Sequence, residues 1–357
     1  MIKGFTRLVA VATYLLAGSA LAAEPALPTV KIFTTGGTIA GSGASGTDMT
    51  NYKPGAISGG QLVASVPQLR QIANTPVEQI ANVGSYDLTI AHWISLARKI
   101  NETLTDAAVS GVVITHGTNT IEETAFFLDL TVKSDKPVVL VGAMRPATAI
   151  SADGPLNLIN AVRVASSPEA RGKGVMVVLN DEISSARDVT KEHTMRVEAF
   201  RPTDFGYLGQ VDEDSVVFYR APIRRHTAAS EFDVSKLEKL PVVDILYAYV
   251  QPSLGLVDAL VKGGTQGIVF AGTGAGDIST PERGALKNVL AMKADARPVL
   301  VRSSRVGNGR VVVTKDYEPF NMVAADTLNP QKARILLMLA LTKTRDPKEI
   351  QRMFSEY

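Results

Sequence analysis

Short, continuous apolar runs punctuate the chain, and several end in glycine followed by small hydroxyl or amide residues. Val30–Thr35, Ile80–Val83, Gly111–Ile114, Pro137–Val141 and Val175–Leu179 are too short for buried helices and rich in β-branched residues, so they predict strands. Between them lie segments with apolar residues at helical spacing: Gln61–Ala73 (Leu62, Val66, Leu69, Ile72), Ile90–Ile100, Ile121–Leu130 and Pro155–Ala165. The last of these has proline in its first position and Asp153 close to its cap. Strand and helix in steady alternation predict a parallel sheet with helices on both faces. From Glu182 to Tyr219 the pattern changes to short β-like pieces. Ala221–Pro241 is polar and contains two prolines, which predicts an inter-domain linker.

A second alternating series follows. Val243–Val250, Gly267–Phe270 and Val299–Arg302 predict strands. Helices are expected from about Leu254 to Val261, Pro281 to Met292 and Pro330 to Leu341, the last nearly all apolar from Arg334 onward. The expected fold class is therefore α/β in two domains, a larger N-terminal parallel-sheet domain over 23–220 and a smaller C-terminal α/β domain over 242–357, with 221–241 between them.

The stretch Gly111-Val112-Val113-Ile114-Thr115-His116-Gly117-Thr118-Asn119-Thr120-Ile121-Glu122-Glu123-Thr124 organises the rest. It predicts a strand, a tight turn and a helix whose first turn carries Glu122 and Glu123, where negative charge complements the helix dipole. Ligands of open α/β sheets bind beyond the carboxyl ends of the strands, where this turn carries Thr118 and Asn119. Its backbone N–H groups suit an anion or the oxyanion of an acyl transfer.

The first residues stand apart from this pattern. Lys3 and Arg7, an apolar run Leu8–Leu16 and the small-residue site Ala20-Leu21-Ala22 predict a secretory leader over 1–22. Its apolar core is shorter than the ~20 residues a membrane span needs. The mature chain is expected to be exported and soluble. Removing the leader's two basic residues from the total of 37 leaves parity with the 35 acidic ones, and no basic block suggests nucleic acid or an anionic membrane as a partner. With no cysteine, disulfides, thiolate metal sites and a cysteine nucleophile are excluded. The four histidines, His92, His116, His193 and His226, lack metal-ligand spacing, and His116 reads as structural. No metal or cofactor is expected.

Candidate chemistry centres on two threonines. Thr38 follows Gly36-Gly37 after the first strand, and Thr118 follows Gly117 after the central one. In a parallel sheet both turns fall on one edge, so the hydroxyls can converge. A threonine hydroxyl needs a base beside it to act as nucleophile; alone in a turn it more often bonds nearby backbone. Lys191, in Asp188-Val189-Thr190-Lys191, supplies a base if desolvated. Ser42–Thr50 is rich in small polar residues and suits a mobile lid, with Tyr52 at its far end. The Gly36-Gly37-Thr38-Ile39-Ala40-Gly41 turn lacks the order of a dinucleotide fingerprint. Asp277 and Glu282 read as loop and helix-cap residues.

Taken in order, Thr35-Gly36-Gly37-Thr38-Ile39-Ala40-Gly41, Ile114-Thr115-His116-Gly117-Thr118, Val141-Gly142-Ala143-Met144-Arg145-Pro146, Ser151-Ala152-Asp153-Gly154-Pro155, Asp188-Val189-Thr190-Lys191 and Leu328-Asn329-Pro330-Gln331-Lys332-Ala333-Arg334 resemble the bacterial type II, periplasmic L-asparaginases and glutaminase-asparaginases. The resemblance spans essentially the whole mature chain. It implies a homotetramer acting on a small amino-acid amide, with sites between the N-terminal domain of one subunit and the C-terminal domain of another. By position in the motifs it implies Thr38 as nucleophile with Tyr52 beside it on the lid, and Thr118 supported by Lys191. Ser85 would bind the substrate α-carboxylate, and the Ala143 carbonyl would accept from the side-chain amide.

Three positions depart from the family pattern. Asn119 stands where the family has Asp, and Tyr86 where it usually has Gln or Glu; both positions serve the substrate's α-ammonium. The carboxylate supplied by a neighbouring subunit is matched only by Glu318, whose other reading is an exposed loop residue. Asparagine hydrolysis, possible also for glutamine, is the leading expectation. An amidohydrolase favouring a substrate without the ammonium is the runner-up, and a weakened amino-acid-binding homologue the third.

Overall fold

A computed structural model of the chain describes residues 26–202 and 204–357; the expected leader, 1–22, lies outside them. In chain order the first unit contains β1 (Thr29–Gly36), α1 (Gly59–Ala64), β2 (Val77–Val83), α2 (Ile90–Leu104), β3 (Val109–Thr115), α3 (Ile121–Thr131), β4 (Val138–Val141), α4 (Gly154–Ser166), β5 (Val175–Leu179), β6 (Glu182–Ser185), β7 (Val189–Lys191), β8 (Phe200–Pro202), β9 (Gly209–Val211) and β10 (Val216–Phe218). The second contains β11 (Val243–Tyr247), α5 (Gly255–Lys262), β12 (Gly267–Gly272), α6 (Thr280–Leu290), β13 (Val299–Ser304), β14 (Val323–Ala324), α7 (Pro330–Ala340) and α8 (Pro347–Glu356). The α/β class is as expected.

One eight-stranded sheet runs β10-β9-β6-β5-β4-β3-β1-β2. Its β2-β1-β3-β4-β5 part is parallel, as the alternation predicted, and Val112–Ile114 and Val138–Val141 are fully buried between helices on both faces. The chain leaves β1 in one direction to β2, then returns to the other side for β3. That reversal opens a crevice at the carboxyl ends of β1 and β3.

The remaining strands fall where the pattern changes to short β-like pieces, and they run antiparallel. After β5 the chain turns through Asn180 (φ 52°) and Asp181 (φ 65°), and β6 returns antiparallel. Two consecutive left-handed residues are the signature of a tight hairpin. β9 and β10 extend the edge antiparallel as well. The expected helix Gln61–Ala73 is also broken: α1 stops at Ala64 and a 3-10 turn covers Pro67–Gln71. Pro67 offers no N–H and disfavours helical backbone at Val66, which sits at φ −121°, ψ 73°. Leu62, Val66 and Leu69 reach the core all the same.

The smaller sheet, β11-β12-β13-β14, is parallel throughout. α7 starts at the N-cap Asn329, whose side chain accepts from the Lys332 N–H, with Pro330 in its first turn. Its Ile335, Leu336, Leu337 and Leu339 share one continuous core with Phe126, Phe127 and Leu128 of α3. The two units are thus packed against each other through apolar side chains. The 221–241 segment joins that core too, with Phe232 and Val234 buried. α8 was not anticipated, although Asp346 followed by Pro347 is a helix-start signal.

Candidate functional site

Pairing of Thr34 with Thr115 sets β1 and β3 in register, so the turns that follow them lie side by side. They touch backbone to backbone. A Cβ on Gly37, at φ 82°, would stand 2.3 Å from the Gly117 Cα. Only glycine permits that approach and that φ. The contact fixes Thr38, the first residue of a 3-10 turn Thr38–Ala40, beside the turn that carries Thr118. Both threonines are buried.

Thr38 Oγ1 lies 2.7 Å from the Tyr52 hydroxyl. Tyr52 arrives on the segment expected as a lid, which folds back over the crevice. Ser42 and Lys53 exchange backbone hydrogen bonds at 3.1 and 3.0 Å. The Gly43 N–H donates to Thr148 Oγ1, and the Ile150 N–H to the Gly46 carbonyl. The Tyr52 ring packs on Gly41, where a side chain would clash with it.

Lys191 closes the other side. It ends β7, and its Nζ donates to Thr118 Oγ1 at 2.9 Å and to Asn119 Oδ1 at 3.2 Å. Burial pushes the lysine below its ordinary pKa, opposed by the charge of Glu122. A lysine so placed exchanges a proton with the threonine hydroxyl more readily than a solvated one. His116 sits beneath the turn, fully buried. Its Nδ1 pairs with the Gly117 carbonyl and its Nε2 with Thr124 Oγ1, both at 2.8 Å. A carbonyl only accepts, so Nδ1 carries the proton and Nε2 accepts from the threonine. Burial pushes its pKa down to about 4, and the neutral ring holds the turn.

Ser85 and Ala143 complete the wall, and both are buried. A Cβ on Gly117 would meet Ser85 Oγ at 2.8 Å, and that hydroxyl has no hydrogen-bond partner among the described residues. The Ser85 carbonyl accepts from Thr120 Oγ1 at 2.9 Å, which ties its turn to the start of α3. Ala143 lies on the loop after β4. Asp153 caps that loop rather than α4: its carboxylate accepts from the Met144 and Arg145 N–H groups, both at 2.9 Å, and makes no side-chain cap to the helix. Tyr86 is 62% exposed and covers Gly84. Glu318 lies on an exposed 3-10 turn of the second unit, Lys315–Phe320, and no described contact brings it to the two threonines of its own chain.

Thr38, Tyr52, Ser85, Thr118, Asn119, Ala143 and Lys191 therefore gather around the β1/β3 crevice, while Glu318 stays apart. The sequence reading left Lys332 and Glu122 without a place in this site. Lys332 is fully buried, and its Nζ donates to the Arg187 and Val189 carbonyls, just before Lys191. Glu122 accepts from Asn329 Nδ2 and Gln331 Nε2. Their signal was the Asn329-Pro330-Gln331-Lys332 run, polar residues opening an otherwise apolar helix.

Comparison with known proteins follows the same division of the chain. Residues 29–224 match the family described as Asparaginase, N-terminal, and residues 242–354 the Glutaminase/Asparaginase C-terminal domain. The L-asparaginase 2 of Bacillus subtilis (strain 168) is 51% identical over 93% of this chain and 87% of its own length. A probable periplasmic L-asparaginase of Haemophilus influenzae is 47% identical over 95% of this chain and 96% of its own. Among solved structures, a probable cytoplasmic L-asparaginase from Campylobacter jejuni superposes with a TM-score of 0.89 at 51% identity, covering 92% of this chain and all of that one.

Proposed function

The chain belongs to the asparaginase family, and on that basis we propose that it is an amidohydrolase that converts L-asparagine to L-aspartate and ammonia with Thr38 as nucleophile. One observation carries the reading. Two threonine hydroxyls share a crevice, one 2.7 Å from a tyrosine hydroxyl and the other 2.9 Å from a half-buried lysine amine. A site that only bound an amino acid would gain nothing from a half-buried lysine on a hydroxyl.

In this mechanism Thr38 Oγ attacks the side-chain amide carbon, and its proton leaves through the Tyr52 hydroxyl towards the amide nitrogen. The oxyanion is steadied by backbone N–H groups of the Thr118 turn. Collapse breaks the C–N bond, releases ammonia and leaves an ester on Thr38. Water, deprotonated through Thr118 and Lys191, then attacks the ester; aspartate leaves and Thr38 regains its proton. The unpartnered Ser85 hydroxyl suits the α-carboxylate, and the Ala143 carbonyl suits the amide N–H.

The chain is further proposed to act as an exported homotetramer. Tyr247, Tyr249 and Val250 at the end of edge strand β11 are exposed, an apolar stripe that another subunit would cover. In that assembly Glu318 reaches a neighbour's crevice. Export rests on the basic, apolar and small-residue order of 1–22, and one similar protein is named periplasmic, another cytoplasmic. The second reading, a preference for amides lacking the ammonium, is favoured by Asn119 and the outward-facing Tyr86.

Ammonia release from L-asparagine by the purified protein is the test, with Thr38→Ala alongside. Turnover is expected in the first and background only in the second. A variant that keeps turnover removes Thr38 from the role of nucleophile.

A further inference from the structure

Lys332 is a buried charge that the proposed chemistry leaves unused. It belongs to α7 of the second unit, yet its amine donates to the Arg187 carbonyl at 2.8 Å and the Val189 carbonyl at 2.5 Å. Arg187 lies in the turn that precedes β7, and Val189 is the first residue of that strand. Among the described residues β7 pairs only with β8, and the ammonium supplies a donor both to the Val189 carbonyl and to the Arg187 carbonyl of the turn before it. Two residues beyond Val189, β7 ends in Lys191, which meets Thr118.

The same turn grips the opposite jaw. Asn329, which also caps α7, and Gln331 both donate to the Glu122 carboxylate, at 3.2 and 3.4 Å. Glu122 lies in the first turn of α3, directly after the Thr118–Asn119 turn. Docking of α7 does not explain this lysine, because Ile335, Leu336, Leu337 and Leu339 already bury an apolar face. A buried amine is costly where a methionine of similar length is not. Burial pushes its pKa down to about 8, opposed most by the charges of Glu122 and Asp188.

We propose that Lys332 is a positioning residue: with Asn329 and Gln331 it clamps the two segments that carry Lys191 and Thr118, so that amine and hydroxyl meet. The inference rests on the reading in which Lys191 serves Thr118. It also makes the second unit necessary to the site on the first within a single chain.

A double-mutant cycle tests it. Lys332→Met is expected to lower kcat by about 10- to 100-fold, the cost of misplacing a reacting group by about 1 Å, with KM changed less than about threefold. In a Lys191→Met background the same substitution is expected to cost less than about threefold, because the residue it positions is gone. Equal losses in both backgrounds would make Lys332 a structural residue only and overturn the proposal. Gln331→Leu loosens the other jaw without emptying a buried charge site. It is expected to show the same dependence on Lys191 with a loss of about three- to tenfold, and it decides the matter if Lys332→Met does not fold. Wild type and Thr38→Ala run beside them: a silent wild type, or an active Thr38→Ala, refutes the catalytic reading and not the clamp.

Discussion

Restoring a carboxylate at residue 119 perturbs two things at once, and they separate by assay. In Asn119→Asp the new charge sits where Asn119 Oδ1 now lies, 3.2 Å from Lys191 Nζ. At that distance the attraction is about 5 kcal/mol for an effective dielectric of 20 and about 1 kcal/mol for water. Lys191 is only half buried, so an upward shift of about 1–3 pKa units is expected, the usual range for an opposite charge this close. If neutral Lys191 is the base, the acid limb of kcat moves up by the same amount, and the variant is slower at neutral pH and recovers at higher pH. The second effect runs the other way. A carboxylate facing the α-ammonium strengthens binding by about 2–5 kcal/mol where it is fully buried, so KM for L-asparagine falls. Succinamic acid, which lacks the amine, gains nothing. Ammonia release from both substrates, followed from pH 5 to 10 for wild type and variant, reads the two effects independently. An unmoved acid limb would show that Lys191 is not the titrating base. An equal KM change for both substrates would show that residue 119 does not face the ammonium.

Two further perturbations test the frame. Gly37→Ala places a methyl 2.3 Å from the Gly117 Cα at φ 82°, so the turns must part by about 1 Å; stability is expected to fall by a few kcal/mol and kcat by about 100-fold, whereas Gly60→Ala, in α1 with open space around it, is expected to be neutral to stabilising by up to about 1 kcal/mol. Thermal unfolding and ammonia release check both, and wild-type turnover in Gly37→Ala would refute the backbone contact. Asp129 is buried in α3, and burial raises its pKa to about 7, while burial lowers His116 to about 4. The raised acid loses stability as pH climbs from about 4 to 7; the lowered base loses it as pH falls from about 6.5 to 4, so the two oppose each other. Asp129→Asn removes the first, and its stability relative to wild type should be higher at pH 7 than at pH 4 by roughly 3 kcal/mol, the part of the linkage that falls between those two pH values. Denaturant unfolding at the two pH values measures this, and a difference independent of pH would mean that burial does not raise the Asp129 pKa.

Much was legible without coordinates, because it depends on local rules. Fully buried parallel strands must be apolar at every position, and that is why Val138–Val141 and Val175–Leu179 were readable to the residue or nearly so. The two glycine turns and their threonines were equally plain, since only glycine suits such backbone. The Asn180-Asp181 hairpin and the break at Pro67 were also written locally, and at Pro67 the helical periodicity of the neighbouring apolar residues outweighed the turn signal.

The sequence alone therefore determined which apolar runs are buried, where the glycine turns fall, and that hydroxyls and a lysine stand ready beside them. Tertiary structure decided which turns meet. Nothing local places Gly37 against Gly117, turns the Asp153 carboxylate to the loop after β4 instead of its own helix, or carries Lys332 across from the second unit to the carbonyls before Lys191. Those pairings join residues up to 145 positions apart, and only the order of strands in the sheet and the packing of α7 on α3 bring them within hydrogen-bonding reach.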